Sequence, residues 1–249
     1  MISIDLNADL GEGMAFDKQL LRIVSSASIA CGGHAGNEET MEKTLRRAAE
    51  SGVMTGAHPG FADLENFGRR KLDLPLATII EQVIGQLQTI SVIARRVGQP
   101  ISYLKLHGAL YNLASERFDL AREIFAAVQN FDPKLAIMAL AGSAQLRAAK
   151  DLGLKTISEG FADRAYRPDG MLLERSSPGA VYSNPAIAVN QAVMLARDKC
   201  VIAVDRTSIA REVQSVCLHG DNEAALELAR AVRDGLLVNG IMIKSFSGQ

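Results

Sequence analysis

The sequence lacks the features that would point to a membrane or a nucleic acid as partner. No window approaches the run of about 18 apolar residues that a membrane-spanning helix needs. The amino-terminal segment MISIDLNADLGEG has no basic region followed by a long apolar stretch, as a signal peptide would. The 27 basic residues are balanced by 28 acidic ones, and no basic cluster alternates with aromatic residues. We therefore expect a cytoplasmic protein that binds a small molecule or another protein.

Cysteine is scarce as well, with three residues in 249 and no CxxC spacing. Cys31 and Cys217 lie in apolar, strand-like segments, so reduced buried thiols are expected rather than disulfides, and a nucleophilic Cys31 beside His34 is the less favoured alternative. The glycine-rich segments GEG and CGGHAG do not match GxGxxG, and no GxxxxGK[ST] segment is present. The sequence therefore does not predict ATP binding through a standard phosphate-binding loop.

Histidine is equally rare, but its positions are informative. Each of the four histidines lies where an apolar run gives way to glycine, namely His34, His58, His107 and His219. The carboxyl ends of parallel strands are where α/β folds collect the groups that do chemistry. We therefore expect the four to share one site, although any single histidine could instead satisfy a backbone carbonyl.

Short apolar runs alternate with helical patterns along the chain, which is typical of parallel strands joined by helices. With 48% hydrophobic residues, 249 residues can bury one large core, so a single α/β domain over 1–249 is expected, with two smaller domains as the alternative. Seven strands are predicted near residues 2–7, 26–32, 53–57, 102–107, 135–140, 154–159 and 215–219.

Helices are predicted between these strands from capping residues and apolar periodicity. Asn37 precedes a helix that ends at Gly52, and an apolar stripe runs from Pro75 to Gly98. Further helices are predicted near residues 116–130, 143–152, 185–198 and 222–238, the last one capped by Asp221. Two long polar segments, 61–75 and 161–185, are interpreted as lids over the strand ends.

The exit of the first strand carries an unusual density of polar residues. Asp5, Asn7 and Asp9 would project to one side of an extended segment, and Glu12 follows. Carboxylates together with imidazoles suit a divalent ion, with Asp5, Asp9, His34 and His58 as candidate ligands, or a general acid–base pair. The alternative is an acidic loop whose Asp and Asn residues serve only in turns and caps.

Two further groups of charged residues are candidates for substrate contacts. Lys105 would face the same way as His107, and it needs either a substrate anion or a structural carboxylate such as Glu159. In the segment EGFADRAYRPDG, Asp163 and Arg164 could clamp a substrate carboxylate, or could pair within a solvated loop. The arginines of NFGRR, Arg69 and Arg70, carry the same two interpretations.

Six motifs follow one another from residue 5 to about residue 221: DLNADLGEG, SIACGGHAG, TGAHPG with NFGRR, LKLHGALYN, EGFADRAYRPDG with RSSPGAV, and CLHGD. In this order they resemble the LamB/YcsF family of A subunits of bacterial ATP-dependent 5-oxoprolinase. The resemblance implies a distorted (β/α)7 barrel of the glycoside hydrolase/deacetylase type. It also implies opening of 5-oxo-L-proline to L-glutamate with ATP cleavage, together with partner subunits B and C.

The resemblance also implies site residues, carried over motif by motif: Asp5, Asn7, Asp9, Glu12, His34, His58, Lys105, His107, Glu159, Asp163, Arg164 and His219. Among the candidates we expect the catalytic residues to be Asp9, His34, His58, Lys105, His107 and His219. We expect the substrate-binding residues to be Asn7, Glu12, Arg69, Glu159, Asp163 and Arg164. Asp9 or His34 would act as general base, Lys105 or Arg164 would hold the substrate carboxylate, and His107 or His219 would protonate nitrogen or stabilise an oxyanion. The sequence departs from the family pattern at Gly33, Asn37 and Glu38, so substrate packing near the second strand is expected to differ.

Two other functional classes are kept open. A stand-alone metal-dependent amidohydrolase or deacetylase would use the same carboxylates and histidines to hold one divalent ion. A non-catalytic binding or regulatory protein would tolerate loss of the acidic cluster and depend instead on its partner surface.

Overall fold

Seven parallel strands close into a barrel in the computed structural model, which describes residues 2–219 and 223–246. The barrel strands are β1 (Ser3–Leu10), β2 (Ser26–Ala30), β3 (Met54–His58), β4 (Ile101–Leu104), β5 (Ala136–Leu140), β6 (Thr156–Phe161) and β9 (Ser215–Leu218). They pair in that order, and β9 also pairs with β1, which closes the ring. The predicted α/β barrel of seven strands is therefore confirmed.

Helices cover the outside of this barrel and bury an apolar layer against it. They are α1 (Asp17–Leu20), α2 (Glu38–Ser51), α3 (Leu76–Val97), α4 (Gly108–Glu116), α5 (Phe118–Phe131), α6 (Ala144–Asp151), α7 (Pro185–Val193) and α8 (Glu223–Val238). Leu6 and Leu10 of β1 and Leu45 of α2 are fully buried in this layer. Because the apolar side chains of β1 point outward to the helices, its polar side chains point into the barrel.

The predicted helix boundaries are largely confirmed where a cap is present. The Asn37 side chain accepts a hydrogen bond from the Thr40 amide in a reciprocal capping box, and Gly52 ends α2 in the left-handed region. Gly98 ends α3 in the same conformation, and Ser143 caps α6. The predicted cap at Asp221 lies outside the described residues.

Helix α3 is the one described helix that is long and apolar enough to cross a membrane by length and composition alone. Its buried side chains, including Ile79, Val83, Leu87 and Ile90, belong to the core of the barrel, and the helix contacts α2 and α5. Its apolar face therefore has a partner within this chain.

Several short elements were not predicted. The segment after His107 forms α4, and α7 continues into a π-helical turn at Met194–Asp198. Strands β7 (Cys200–Ile202) and β8 (Ser208–Ala210) form a small antiparallel hairpin, and β10 (Met242–Ile243) pairs with β1. Strands of two or three residues are too short to show an alternating pattern, which is why the sequence did not reveal them.

Candidate active site

Three of the four histidines meet at the carboxyl end of the barrel. His58 ends β3, His34 follows β2, and His107 lies between β4 and α4. The His34 and His107 rings stack with their centroids 3.5 Å apart, and the His58 ring meets the His107 ring edge-on at 4.8 Å. All three residues are buried, with exposed fractions of 1% for His34, 1% for His58 and 6% for His107.

Two carboxylates from the exit of β1 approach these rings. Glu12 Oε1 lies 3.3 Å from His34 Nε2 and 3.9 Å from His107 Nδ1, and Asp9 Oδ2 lies 3.2 Å from His58 Nε2. Burial and the neighbouring His58 lower the pKa of His34 to about 3, and burial with the same neighbour holds the pKa of His107 well below its usual value. His34 and His107 are therefore neutral imidazoles with lone pairs available at physiological pH.

We call Glu12, His34, His58 and His107 the histidine cluster. Each of these residues offers one nitrogen or oxygen atom, and the four atoms lie within 4.8 Å of one another. Three imidazoles and one carboxylate form a donor set of the kind that holds a divalent transition metal. Among the described residues, this is the group that could bind a metal ion.

Lys105 links this cluster to the interior of the barrel. Its ammonium lies 2.8 Å from Asp9 Oδ1 and 2.9 Å from Glu159 Oε1, and Lys105 as a whole is only 1% exposed. Burial alone would lower the pKa of Lys105, but Asp9 and Glu159 raise it well above the ordinary value. Burial would likewise raise the pKa of Asp9, but His58 and Lys105 hold it well below its usual range. Asp9 and Lys105 are therefore both ionised.

Further polar side chains inside the barrel form hydrogen bonds with Lys105 and Glu159. Asn7 donates to Glu159 Oε1 at 3.0 Å and to Ser215 Oγ at 2.7 Å, and its own carbonyl oxygen accepts from Lys105 at 3.2 Å. The Tyr111 hydroxyl donates to Glu159 Oε2 at 2.8 Å. The sequence analysis did not single out Tyr111, although it lies one helical turn after His107 and so on the same side of α4.

The segment that follows β3 closes over the histidine cluster. The Phe67 carbonyl accepts a hydrogen bond from His107 Nε2 at 3.0 Å, and its ring packs edge-on against both His34 and His107. Gly68 follows with a φ of +60°, and a Cβ atom there would lie 2.7 Å from His34 Cβ. Only glycine fits so close to the imidazoles. The lid predicted over 61–75 does cover a strand end.

Known proteins are similar to this chain along nearly its whole length. The family model described as LamB/YcsF family matches residues 4–249. The A subunit of 5-oxoprolinase from Mycobacterium leprae, in strains Br4923 and TN, is 43% identical over 251 residues, which covers 99% of this chain and 100% of each relative.

The chain belongs to the LamB/YcsF family.

The solved structures agree with this membership. The lactam utilization protein from Thermus thermophilus is 36% identical, with a TM-score of 0.91 and coverage of 98% of this chain and 100% of that chain. A T48 deacetylase shares the fold alone, at 14% identity and a TM-score of 0.52, over 100% of this chain and 92% of that chain. The expected likeness to deacetylase-type barrels is thus confirmed at the level of fold.

Not all of the predicted residues join the histidine cluster of this LamB/YcsF protein. Asp5 was a candidate metal ligand, but the structure holds its carboxylate away from the cluster, among the hydroxyls of Ser25, Ser26 and Ser215. Burial raises the pKa of Asp5 to about 6 despite these hydrogen bonds. Asp5 precedes Asp9 by four residues, so the two lie on one side of β1 but about 13 Å apart along it.

His219 is also separate from the other three histidines. Its Nδ1 lies 2.8 Å from Asp163 Oδ2, and its ring stacks on that of Phe161. Burial would raise the pKa of Asp163, but His219 brings it below the usual value. His34, His58 and His107 therefore form one cluster, and His219 pairs with Asp163 beside it, where it also contributes to the lowered pKa of Asp9.

The two arginines expected to bind substrate have different surroundings. Arg164 is buried and donates to the backbone carbonyls of Ala180 at 3.2 Å and Leu173 at 2.7 Å, so it holds the segment 161–185 together. Arg69 is exposed at the edge of the site, with its guanidinium 4.7 Å from the centre of the Phe67 ring.

A surface groove of about 460 Å³ lies between α7 and α8, away from this site. None of the predicted site residues lines it.

Proposed function

We propose that this chain is the A subunit of an ATP-dependent 5-oxoprolinase, which acts with subunits B and C in the cytoplasm. The observation that carries the proposal is the 43% identity to the A subunit of 5-oxoprolinase over 99% of this chain. The substrate is 5-oxo-L-proline and the product is L-glutamate. The buried carboxylates and histidines at the carboxyl end of the barrel supply polar groups of the type that hydrolysis of an amide requires.

The reaction needs activation because a lactam is a poor electrophile. In the proposed sequence the amide oxygen attacks the γ-phosphorus of ATP and ADP leaves. Water then adds to the activated carbon, and the C–N bond breaks as the ring nitrogen takes a proton, which yields an acyl phosphate and a free amine. A second water releases phosphate and glutamate. We assign ATP handling largely to the partner subunits and ring opening to this chain.

The histidine cluster and Asp9 are the groups that we assign to activation of water. We assign His34 to orient the water, because it is neutral and neither ring nitrogen has a hydrogen-bond partner, although its pKa of about 3 makes it a weak base. Asp9 is a weak base for the same reason, since His58 and Lys105 hold its pKa well below the usual range. A carboxylate in that position stabilises positive charge that develops on His58.

The Asp163–His219 pair is the group that we assign to protonation of the departing nitrogen. A carboxylate bound to one imidazole nitrogen fixes the ring orientation and leaves the other nitrogen to exchange a proton. Arg69 is assigned to the substrate carboxylate, because its guanidinium lies at the edge of the site over the ring of Phe67, which packs against His34 and His107.

Reconstitution with the partner subunits tests the proposal. The complete mixture is expected to form glutamate from 5-oxoproline only when ATP is present, and omission of this chain is expected to stop both glutamate and ADP formation. Glutamate formation at the same rate without this chain would contradict the proposal. Unchanged activity of an assembled complex with Asp9→Ala would favour a non-catalytic role.

A stand-alone metal-dependent amidohydrolase or deacetylase is the second candidate. The observation in its favour is the cluster of three histidines and Glu12 at the end of a barrel with a deacetylase-like fold. In that case the cluster would hold a divalent ion, which lowers the pKa of bound water. Hydrolysis of amide substrates by the chain alone, with metal and without ATP, would favour this function over the first.

A further inference from the structure

The hydrogen bonds around two of the histidines fix which of their nitrogens carry protons. His58 Nδ1 lies 2.8 Å from the backbone carbonyl of Lys105, and His107 Nε2 lies 3.0 Å from that of Phe67. A carbonyl oxygen only accepts, so both of these nitrogens must donate. In the neutral rings the remaining nitrogens, His58 Nε2 and His107 Nδ1, therefore carry lone pairs.

These two lone pairs point at the same space. His58 Nε2 and His107 Nδ1 are 2.9 Å apart, which is hydrogen-bond distance between two atoms that both act as acceptors. The other polar atoms nearby are acceptors too, since Asp9 Oδ2 lies 3.2 Å from His58 Nε2 and Glu12 Oε1 lies 3.9 Å from His107 Nδ1. Such a convergence of acceptors is stabilised by a proton or a metal ion held between them.

His34 adds an independent observation. Its side chain has an exposed fraction of 0%, and neither ring nitrogen has a hydrogen-bond partner, although Nε2 lies 3.3 Å from Glu12 Oε1. Buried polar nitrogens are rarely left without a partner. A proton shared between His58 and His107 would satisfy those two rings, but it would leave His34 unsatisfied. One cation bound by all three rings would satisfy every one of them.

We infer that Glu12, His34, His58 and His107 bind one divalent transition metal ion of the zinc type. The carbonyls of Lys105 and Phe67 complete the site, because a metal-binding histidine almost always donates its second nitrogen to a carbonyl or carboxylate. Asp9 lies beside His58 as a further carboxylate. The inference concerns metal binding alone, and a chain that holds the ion uses His34 as a ligand and not as a base.

The donor atoms indicate the class of ion. Three imidazole nitrogens and one carboxylate oxygen suit Zn²⁺ or Co²⁺, whereas Mg²⁺ and Ca²⁺ prefer sites made of oxygen atoms. Ligand atoms around tetrahedral zinc lie about 3.3 Å from one another. The 2.9 Å, 3.3 Å and 3.9 Å separations bracket that value, within a set of atoms that lie up to 4.8 Å apart. Because the His34 and His107 rings are stacked in parallel planes, His34 must rotate out of this stack to direct a lone pair at an ion shared with His107.

Metal binding to the full-length chain tests the inference without substrate, ATP or partner subunits. The protein is treated with a chelator, exposed to Zn²⁺ or Mg²⁺, separated from free ion and analysed for metal content. About one Zn²⁺ per chain and no retained Mg²⁺ are expected. Co²⁺ should give the visible absorption of a site with nitrogen ligands, and Zn²⁺ should raise the unfolding temperature of the wild-type protein.

Matched variants locate the ion. Glu12→Gln and His34→Gln are expected to weaken Zn²⁺ binding by more than about tenfold. His219→Gln is the control, because it removes a histidine that pairs with Asp163 outside the cluster, and it should retain the ion. Failure of the wild-type protein to retain Zn²⁺ would overturn the inference, as would equal losses in His219→Gln and the cluster variants. Circular dichroism of each variant separates loss of the site from loss of the fold.

Discussion

The buried carboxyl group of Asp5 should make the stability of this protein fall as the pH rises. Burial raises the pKa of Asp5 from 3.8 to about 6 in the folded state, so the folded protein binds a proton more tightly than the unfolded chain does. The contribution of protonated Asp5 to the free energy of unfolding is complete below pH 4 and is lost as the pH rises through 6. A shift of roughly two pKa units corresponds to about 3 kcal/mol.

The change Asp5→Asn removes this titration while keeping the shape of the side chain. The free energy of unfolding of Asp5→Asn, minus that of the wild type, should therefore increase by about 2 kcal/mol between pH 4 and pH 7, most of the full effect. Urea denaturation at several pH values measures this difference, and Asp73→Asn on the surface controls for the loss of one negative charge. A difference that stays constant within about 1 kcal/mol over this range would refute the reasoning.

Three further predictions concern residues in and near the site. Gly68→Ala should destabilise the protein by more than the roughly 1–2 kcal/mol expected for Gly52→Ala. Both glycines have a positive φ, but only at Gly68 would a Cβ meet the imidazoles, so equal losses of stability in urea denaturation would contradict this prediction. Lys105→Met should cost about 3–5 kcal/mol, since two buried carboxylates lose their cation, and a loss below about 1 kcal/mol would be inconsistent with the ion pairs. Burial raises the pKa of Cys31 to about 12, so iodoacetamide at pH 8 should label the partly exposed Cys200 and spare Cys31, as mass spectrometry of the peptides can show.

The barrel was predictable from the sequence because most of its strands are apolar runs with clear boundaries. The residues that end the strands, such as His58 in TGAHPG, lie next to glycine or proline, and helix caps such as Asn37 mark where the following helices begin. Parallel connection then places every strand exit at one end of the barrel. The meeting of His34, His58 and His107 follows from this topology.

The membership of the cluster was not predictable in the same way. Glu12 reaches His34 because the chain turns after β1 at Gly11, which has a φ of +76°, and sequence spacing does not give the direction of such a turn. His219 pairs with Asp163 from the segment after β6, and the path of that long segment depends on tertiary contacts such as those of Arg164. Asp5 was wrongly predicted to join the cluster because it lies on the same side of β1 as Asp9 but at a different height along the barrel axis.

The segment 161–185, which was predicted as a second lid, is more ordered and more buried than its composition suggests. The stretch 161–185 is polar and contains several prolines and glycines, which is typical of a loop. In the structure, Tyr166 within it is fully buried and accepts a hydrogen bond from the Phe161 amide at 2.7 Å. The two bridges Arg164 with Val181 and Tyr166 with Leu172 give it internal order that its composition does not reveal.

The most direct test of the central claim is turnover by the reconstituted complex with His34, His58 or His107 replaced by alanine, one at a time. If the histidine cluster opens the lactam ring, each replacement should lower 5-oxoproline-dependent glutamate and ADP formation by at least about a hundredfold while the fold and the assembly of the complex persist. Turnover near that of the wild type in all three variants would show that the ring is opened elsewhere.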